Sequence, residues 1–181
     1  MAKLLVALVA LLAASPAFAD EKLWSLLKAG GQVVLIRHTI TTPGAGDPPG
    51  MRLDDCSTQR NLTDAGRAHA RRIGEAFRSR GIPVEQVLSS PWCRCVQTAE
   101  LAFGQAEISE ALSNLFGRSE NRERQVKEVR ALIAAKRGQG NLVLVTHGST
   151  IFALTGVSPD TGEMVLFSQG AAAGRLSVPP S

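Results

Sequence analysis

The stretch Val33–Gly50, VVLIRHTITTPGAGDPPG, changes character at its centre. A β-rich apolar run stops at Arg37 and His38, and threonine, glycine and proline take over. Gln32–Ile36 has the composition of a strand buried on both faces, and the residues beyond Thr39 have that of a turn-rich loop. In an open α/β sheet the crevice for ligands lies at the carboxyl ends of the strands. A basic pair at such an exit is therefore placed for binding.

Two further strand exits carry polar signatures. Val84–Ser89 passes through Ser90-Pro91 to Arg94, and Asn141–Val145 passes into Thr146-His147-Gly148. Between these runs the spacing is helical. Thr63 is a candidate N-cap for a helix to about Ser79, with Ala65, Ala68, Ile73, Ala76 and Phe77 on one face. Pro91 opens a second helix carrying Cys95, Ala99, Ala102 and Phe103; residues 122–136 repeat Val126, Val129, Leu132 and Ile133, and 150–154 suits a short helix. Met164–Phe167 and Arg175–Val178 read as closing strands. Strands alternating with helices predict a single layered α/β domain with a mostly parallel central sheet, in which all three exits meet.

The N-terminus has a different pattern. Lys3, the apolar run LLVALVALLAA and Ala17-Phe18-Ala19 before Asp20 form the pattern of a secretory signal peptide over residues 1–19. The run is short for a membrane span, so residues 20–181 are expected to form a periplasmic or secreted domain without stable membrane insertion after cleavage. The formal charge of the 181-residue chain is +4, reduced by one when Lys3 is removed. Its arginines are scattered through helical patterns and aromatics are few, which disfavours nucleic acid and leaves a local basic cluster for a small anion.

Cys56, Cys93 and Cys95 make an odd set for an oxidising compartment. Cys93 and Cys95 are poorly spaced to bridge each other, so Cys56 is expected to pair with one of them. No Cys-x-x-Cys or His-x-x-x-His spacing occurs, so neither a metal nor another cofactor is expected. His69 lies inside a helix of arginines and alanines with no polar signature beside it, and reads as structural.

Two imidazoles and two guanidinium groups suit one chemistry. Guanidinium forks match phosphate oxygens, and a neutral histidine is a nucleophile toward phosphorus. LIRHTIT, with Arg37 and His38, resembles the Arg-His-Gly-x-Thr opening of the histidine phosphatase superfamily, which has the phosphoglycerate mutase-like fold. LSSPWCRCVQTA is similar to its Ser-Ser-Pro-x-x-Arg segment, RNLTDAGRAHA to its Leu-Thr-x-x-Gly helix start, and LVTHGS to its late Thr-His-Gly motif. The matches fall in family order from Gln32 to Ser149, and the chain is identified as an exported member of branch 1.

The resemblance implies a three-layer sandwich and a metal-independent phosphatase. His38 would be the nucleophile, Arg37 and Arg94 would hold the phosphoryl oxygens, and His147 would complete the pocket and stabilise transition-state charge. A cationic His147 would favour a mildly acidic pH optimum. Thr39 stands where the family has glycine, and its hydroxyl is a candidate substrate donor. Asn114 stands where one branch has its general acid, and Gly148 where the other has it, which leaves Glu120 and Asp47 as candidate donors. The expected substrates are small phosphate monoesters, envelope sugar phosphates among them, or phosphoramidates. The competing expectation is a degenerate member that binds a phosphorylated envelope ligand without turning it over. If Cys56 pairs with Cys93, the bridge would hold the loop before the first long helix against the segment that carries Arg94.

Overall fold

The computed structural model describes residues 16–168 and 170–180. Most of the leader pattern, residues 1–15, lies outside the described residues. The chain builds one mixed sheet between two helical layers. Helix α1 (Pro16–Ala29) leads into β1 (Val33–Arg37), α2 (Asp64–Ser79), β2 (Val84–Ser89) and α3 (Cys93–Phe103). Then come β3 (Glu107–Ile108), α4 (Arg122–Ala135), β4 (Asn141–Thr146), α5 (Gly148–Thr155), β5 (Met164–Ser168) and β6 (Ala171–Leu176).

The strand order is β3-β2-β4-β1-β5-β6. The first four strands run parallel, and β5 and β6 close the other edge antiparallel. The strand expected at Arg175–Val178 begins earlier: β6 pairs over Ala171–Leu176 and follows β5 almost directly. Its sequence, AAAGRL, has little β-branched or aromatic content, so pairing rather than propensity makes it a strand. The two-residue β3 is too short to leave a periodic signal.

Alternation across the central strands feeds two cores. Val34, Ile36, Val143 and Val145 face α1, α2 and α3, where Leu27, Ile73, Phe77 and Ala99 are buried. Val33, Leu35, Leu142 and Leu144 face α4 and α5, packing with Val129, Ile151 and Leu154. Burial on both faces explains why these strands read as continuous apolar runs. Helix α1 runs across the expected cleavage point between Ala19 and Asp20, but its core residues Leu23, Trp24 and Leu27 all lie beyond it. A chain beginning at Asp20 keeps that face of the core.

Register brings the three exits together. Arg37 pairs with Thr146 and Ser89 with Val145, so the polar residues that follow emerge at one level of the sheet. The His38 amide donates to the Thr146 carbonyl at 2.9 Å, and the Ser90 amide to the Val145 carbonyl at 2.9 Å.

Candidate active site

A cavity of about 410 Å³ opens at this edge. Arg37, His38, Arg60, Arg94 and His147 line it together with Gly44–Gly46, Asn114, Phe116, Ser149 and Phe152. Four side chains singled out from the sequence, Arg37, His38, Arg94 and His147, thus share one space. The ring centroids of His38 and His147 are 5.5 Å apart in an edge-to-face arrangement.

His38 is buried, and its Nδ1 lies 2.9 Å from the Thr39 carbonyl oxygen. A carbonyl only accepts, so Nδ1 carries the hydrogen and a neutral ring keeps the Nε2 lone pair free. Burial pushes the His38 pKa down to about 3; the bond to Thr39 opposes this, and the charges of Arg94, Arg37 and Arg60 reinforce it. His147 is pushed well below its ordinary value for the same leading reason, with His38 and the arginines adding to it. Its Nε2 is 2.8 Å from Ser90 Oγ, and Trp92 packs edge-on at 5.2 Å, which fixes the ring. Burial thus favours the neutral form of both imidazoles. The cationic His147 expected from the sequence would need a bound anion, and a mildly acidic optimum does not follow from the free protein.

Arg94 is only 1% exposed, and Asp47 engages both of its terminal nitrogens at 2.6 and 3.1 Å. Asp47 also accepts from Trp92 Nε1 at 3.0 Å and from the Arg60 amide at 3.1 Å. Burial acts to raise the Asp47 pKa, but the bonds from Arg94 and the Arg60 amide outweigh it and hold the carboxyl below its usual range. A carboxylate so held is a poor proton donor, which corrects the expectation of Asp47 as an acid. It is better described as the clamp that orients Arg94.

Arg60 is the residue that sequence reasoning missed. Its Nη1 donates to Thr41 Oγ1 at 2.6 Å, and the side chain lines the cavity beside Arg94. The Nε–H groups of Arg37, Arg60 and Arg94 are all buried without a protein partner, although each residue lines the same cavity. Guanidinium groups match phosphate oxygens, and three of them lining one cavity make a place for an anion. With Asp47 counted against three guanidinium groups, the cluster carries two net positive charges. That matches a phosphate dianion.

The cluster is held by its surroundings. The Sγ atoms of Cys56 and Cys93 are bonded, joining the loop before α2 to the first residue of α3. Gln59 adds a second tie: its Oε1 accepts from the Cys93 amide at 2.9 Å and its Nε2 donates to the Arg52 carbonyl at 2.9 Å. Arg60 and Arg94, the next residues along each segment, inherit that alignment. Cys95 is free and buried near His147, and burial pushes its thiol up to about 12, which leaves it unreactive.

Like Asp47, two further expected site residues fall outside the cavity. Thr39 is fully buried, its Oγ1 donates to the Gly66 carbonyl at 2.9 Å, and its amide donates to Thr98 Oγ1 at 3.2 Å. Its hydroxyl is thus committed to the helix interface and is no substrate donor. Gly66 itself allows α2 to approach this corner, because a Cβ there would collide with the Ile40 carbonyl. Glu120 is exposed, accepts from the Asn121 side-chain amide at 3.0 Å and does not line the cavity, so it is no proton donor to it. Among the described residues no cluster of three or more His, Cys, Asp or Glu is arranged to hold a metal ion.

The comparisons agree with the fold. A family model described as histidine phosphatase superfamily, branch 1, matches residues 33–125, more than half of the chain. The fold is similar to that of the protein histidine phosphatase SixA complexed with tungstate: TM-score 0.57 and 20% identity over 81% of this chain and 96% of that one. TTHB049 from Thermus thermophilus gives TM-score 0.58 and 19% identity, over 81% of this chain and 99% of that one. Phosphoserine phosphatase from Entamoeba histolytica, in complex with 3-phosphoglyceric acid, gives TM-score 0.61 and 14% identity over 82% and 98%. No curated protein sequence matches significantly. The chain belongs to the histidine phosphatase superfamily, branch 1.

Proposed function

We propose that this member of the superfamily is an exported phosphatase that hydrolyses phosphate monoesters or phosphoramidates through a phosphohistidine on His38. The observation that carries the reading is the His38 imidazole, hydrogen-bonded through Nδ1, lining one cavity with the guanidinium groups of Arg37, Arg60 and Arg94. The arginines hold the phosphoryl oxygens. His38 Nε2 forms a bond to phosphorus as the ester bond breaks, and the leaving oxygen departs with the bonding pair. The Thr39 carbonyl, accepting from Nδ1, stabilises the positive charge that develops on the ring. His147 takes up a proton or a stronger hydrogen bond as the dianion arrives. Water then cleaves the nitrogen–phosphorus bond and releases phosphate. None of these roles is assigned to a metal.

Export is supported by the leader pattern of residues 1–19 and by a disulfide, which persists in an oxidising compartment. No helix among the described residues is long and apolar enough to cross a membrane. The reading is tested by turnover of a chromogenic phosphate ester. His38→Ala is expected to lower kcat at least about 10³-fold, the scale seen when a covalent nucleophile is removed. Equal rates for variant and wild type would overturn the assignment.

A further inference from the structure

The rim of the cavity differs chemically from its base. Phe116 is 60% exposed and Phe152 is 45% exposed, the former on the loop after Asn114 and the latter on α5. Both line the phosphate cavity, and both also line an adjoining, largely apolar cavity of about 240 Å³ with Leu115, Ala153 and Arg122, whose guanidinium lies 5.8 Å from the Phe152 ring centroid. A single exposed ring needs no explanation, but two that share the walls of the same two cavities form an apolar rim where a ligand can pack. Here they adjoin the place where the leaving group of a bound phosphate ester would sit.

The polar groups of the rim restrict that leaving group further. Among the described residues lining the phosphate cavity none is a carboxylate, and Asp47 beside it is committed to Arg94. Asn114 Oδ1 accepts from Ser149 Oγ at 2.8 Å and from the Phe116 amide at 3.0 Å, so this side chain offers the cavity its NH₂ group. An amide donates a hydrogen bond but releases no proton. That suffices for a phenol oxygen, with pKa about 10, and serves poorly for an aliphatic alkoxide, whose parent hydroxyl is far less acidic, close to bulk water.

We propose that Phe116 and Phe152 form a leaving-group subsite for an aromatic ring, making aryl phosphates the preferred substrates. This rests on the phosphatase reading above. The ring packs at the two phenyl groups while phosphate sits on the arginines. As the bond from phosphorus to His38 Nε2 forms, the aryl oxygen–phosphorus bond breaks, and the phenolate leaves with the electron pair and takes its proton from water. Phe116 and Phe152 act as specificity residues, and Asn114 as the hydrogen-bond donor to the bridging oxygen.

Binding isolates the subsite from turnover. By titration calorimetry, wild type is expected to bind phenylphosphonate about tenfold tighter than cyclohexylphosphonate, the scale of two modest aromatic contacts. Phe116→Ala and Phe152→Ala should each cut that ratio, and the double variant should bring it to about one by removing both contacts. Inorganic phosphate should bind all of them equally. Equal binding of the two phosphonates by wild type, or a ratio unchanged in the double variant, would overturn the subsite. Phenyl phosphate and cyclohexylmethyl phosphate are then compared as substrates. A preserved phosphonate preference with neither ester turned over would overturn the phosphatase reading and leave the ring subsite standing.

Discussion

The base and the rim of the cavity are built by different means. At the base, His38 and His147 follow directly from paired strands, and Arg94 lies in the first turn of α3; all three are buried and tied by short hydrogen bonds. At the rim, Gly44–Gly46, Asn114 and Phe116 lie on loops, and Phe116 and Phe152 stand in solvent. The base recognises what every phosphate ester shares, and sheet register holds it in place. The rim meets what differs between esters, and loops can change it without disturbing the sheet.

If that division holds, damage to the base should affect all substrates alike. Arg60→Ala removes one of three guanidinium groups and is expected to lower kcat/KM about 10²–10³-fold, the range for losing one preorganised charge-stabilising donor. The loss should be similar for aryl and alkyl esters, with the phosphonate preference kept. A loss confined to one class of ester would place Arg60 at the rim.

A smaller effect appears in stability. His38 and His147 have folded pKa values below the ordinary 6.5, so between that value and the folded one the unfolded chain binds more protons. Stability is then fully present above about pH 6.5 and falls as pH drops, by up to about 1.4 kcal/mol per pH unit for each imidazole. For His38 the loss continues toward about pH 3, and His69, lowered chiefly by burial, adds in the same sense. Denaturant unfolding at pH 7, 6 and 5 checks this, with His147→Gln expected to flatten the slope. A flat profile for wild type would mean that the imidazoles titrate in the native pocket as they do in the unfolded chain.

The same division separates what was legible in the sequence from what was not. β1 and β4 showed as apolar runs because both of their faces are buried, whereas β2, VEQVLS, is buried only over its second half; the polar exits of the three strands located His38, Arg94 and His147. A cysteine count and spacing limited the bridge to Cys56 with Cys93 or Cys95, and the fold joins Cys56 to Cys93. Arg60 stood in view in RNLTDAG, but nothing in helical or strand spacing distinguishes it from the chain's many surface arginines. Its role depends on a loop folding back through Gln59 and the disulfide. Thr39 and Asp47 were misjudged because their partners are distant in sequence: Gly66 and Thr98 use the Thr39 corner, and Arg94 captures Asp47. Phe116 and Phe152 carried no signal, since an isolated phenylalanine reads as core until its exposure is known.

The most direct test of covalent catalysis at the base is to quench wild type during turnover of phenyl phosphate labelled at phosphorus and map the bound label. Acid-labile, base-stable phosphate on Nε2 of His38, lost in His38→Ala, is the expected result. Turnover by wild type with no labelled His38 under rapid quench, or label on another residue, would contradict it.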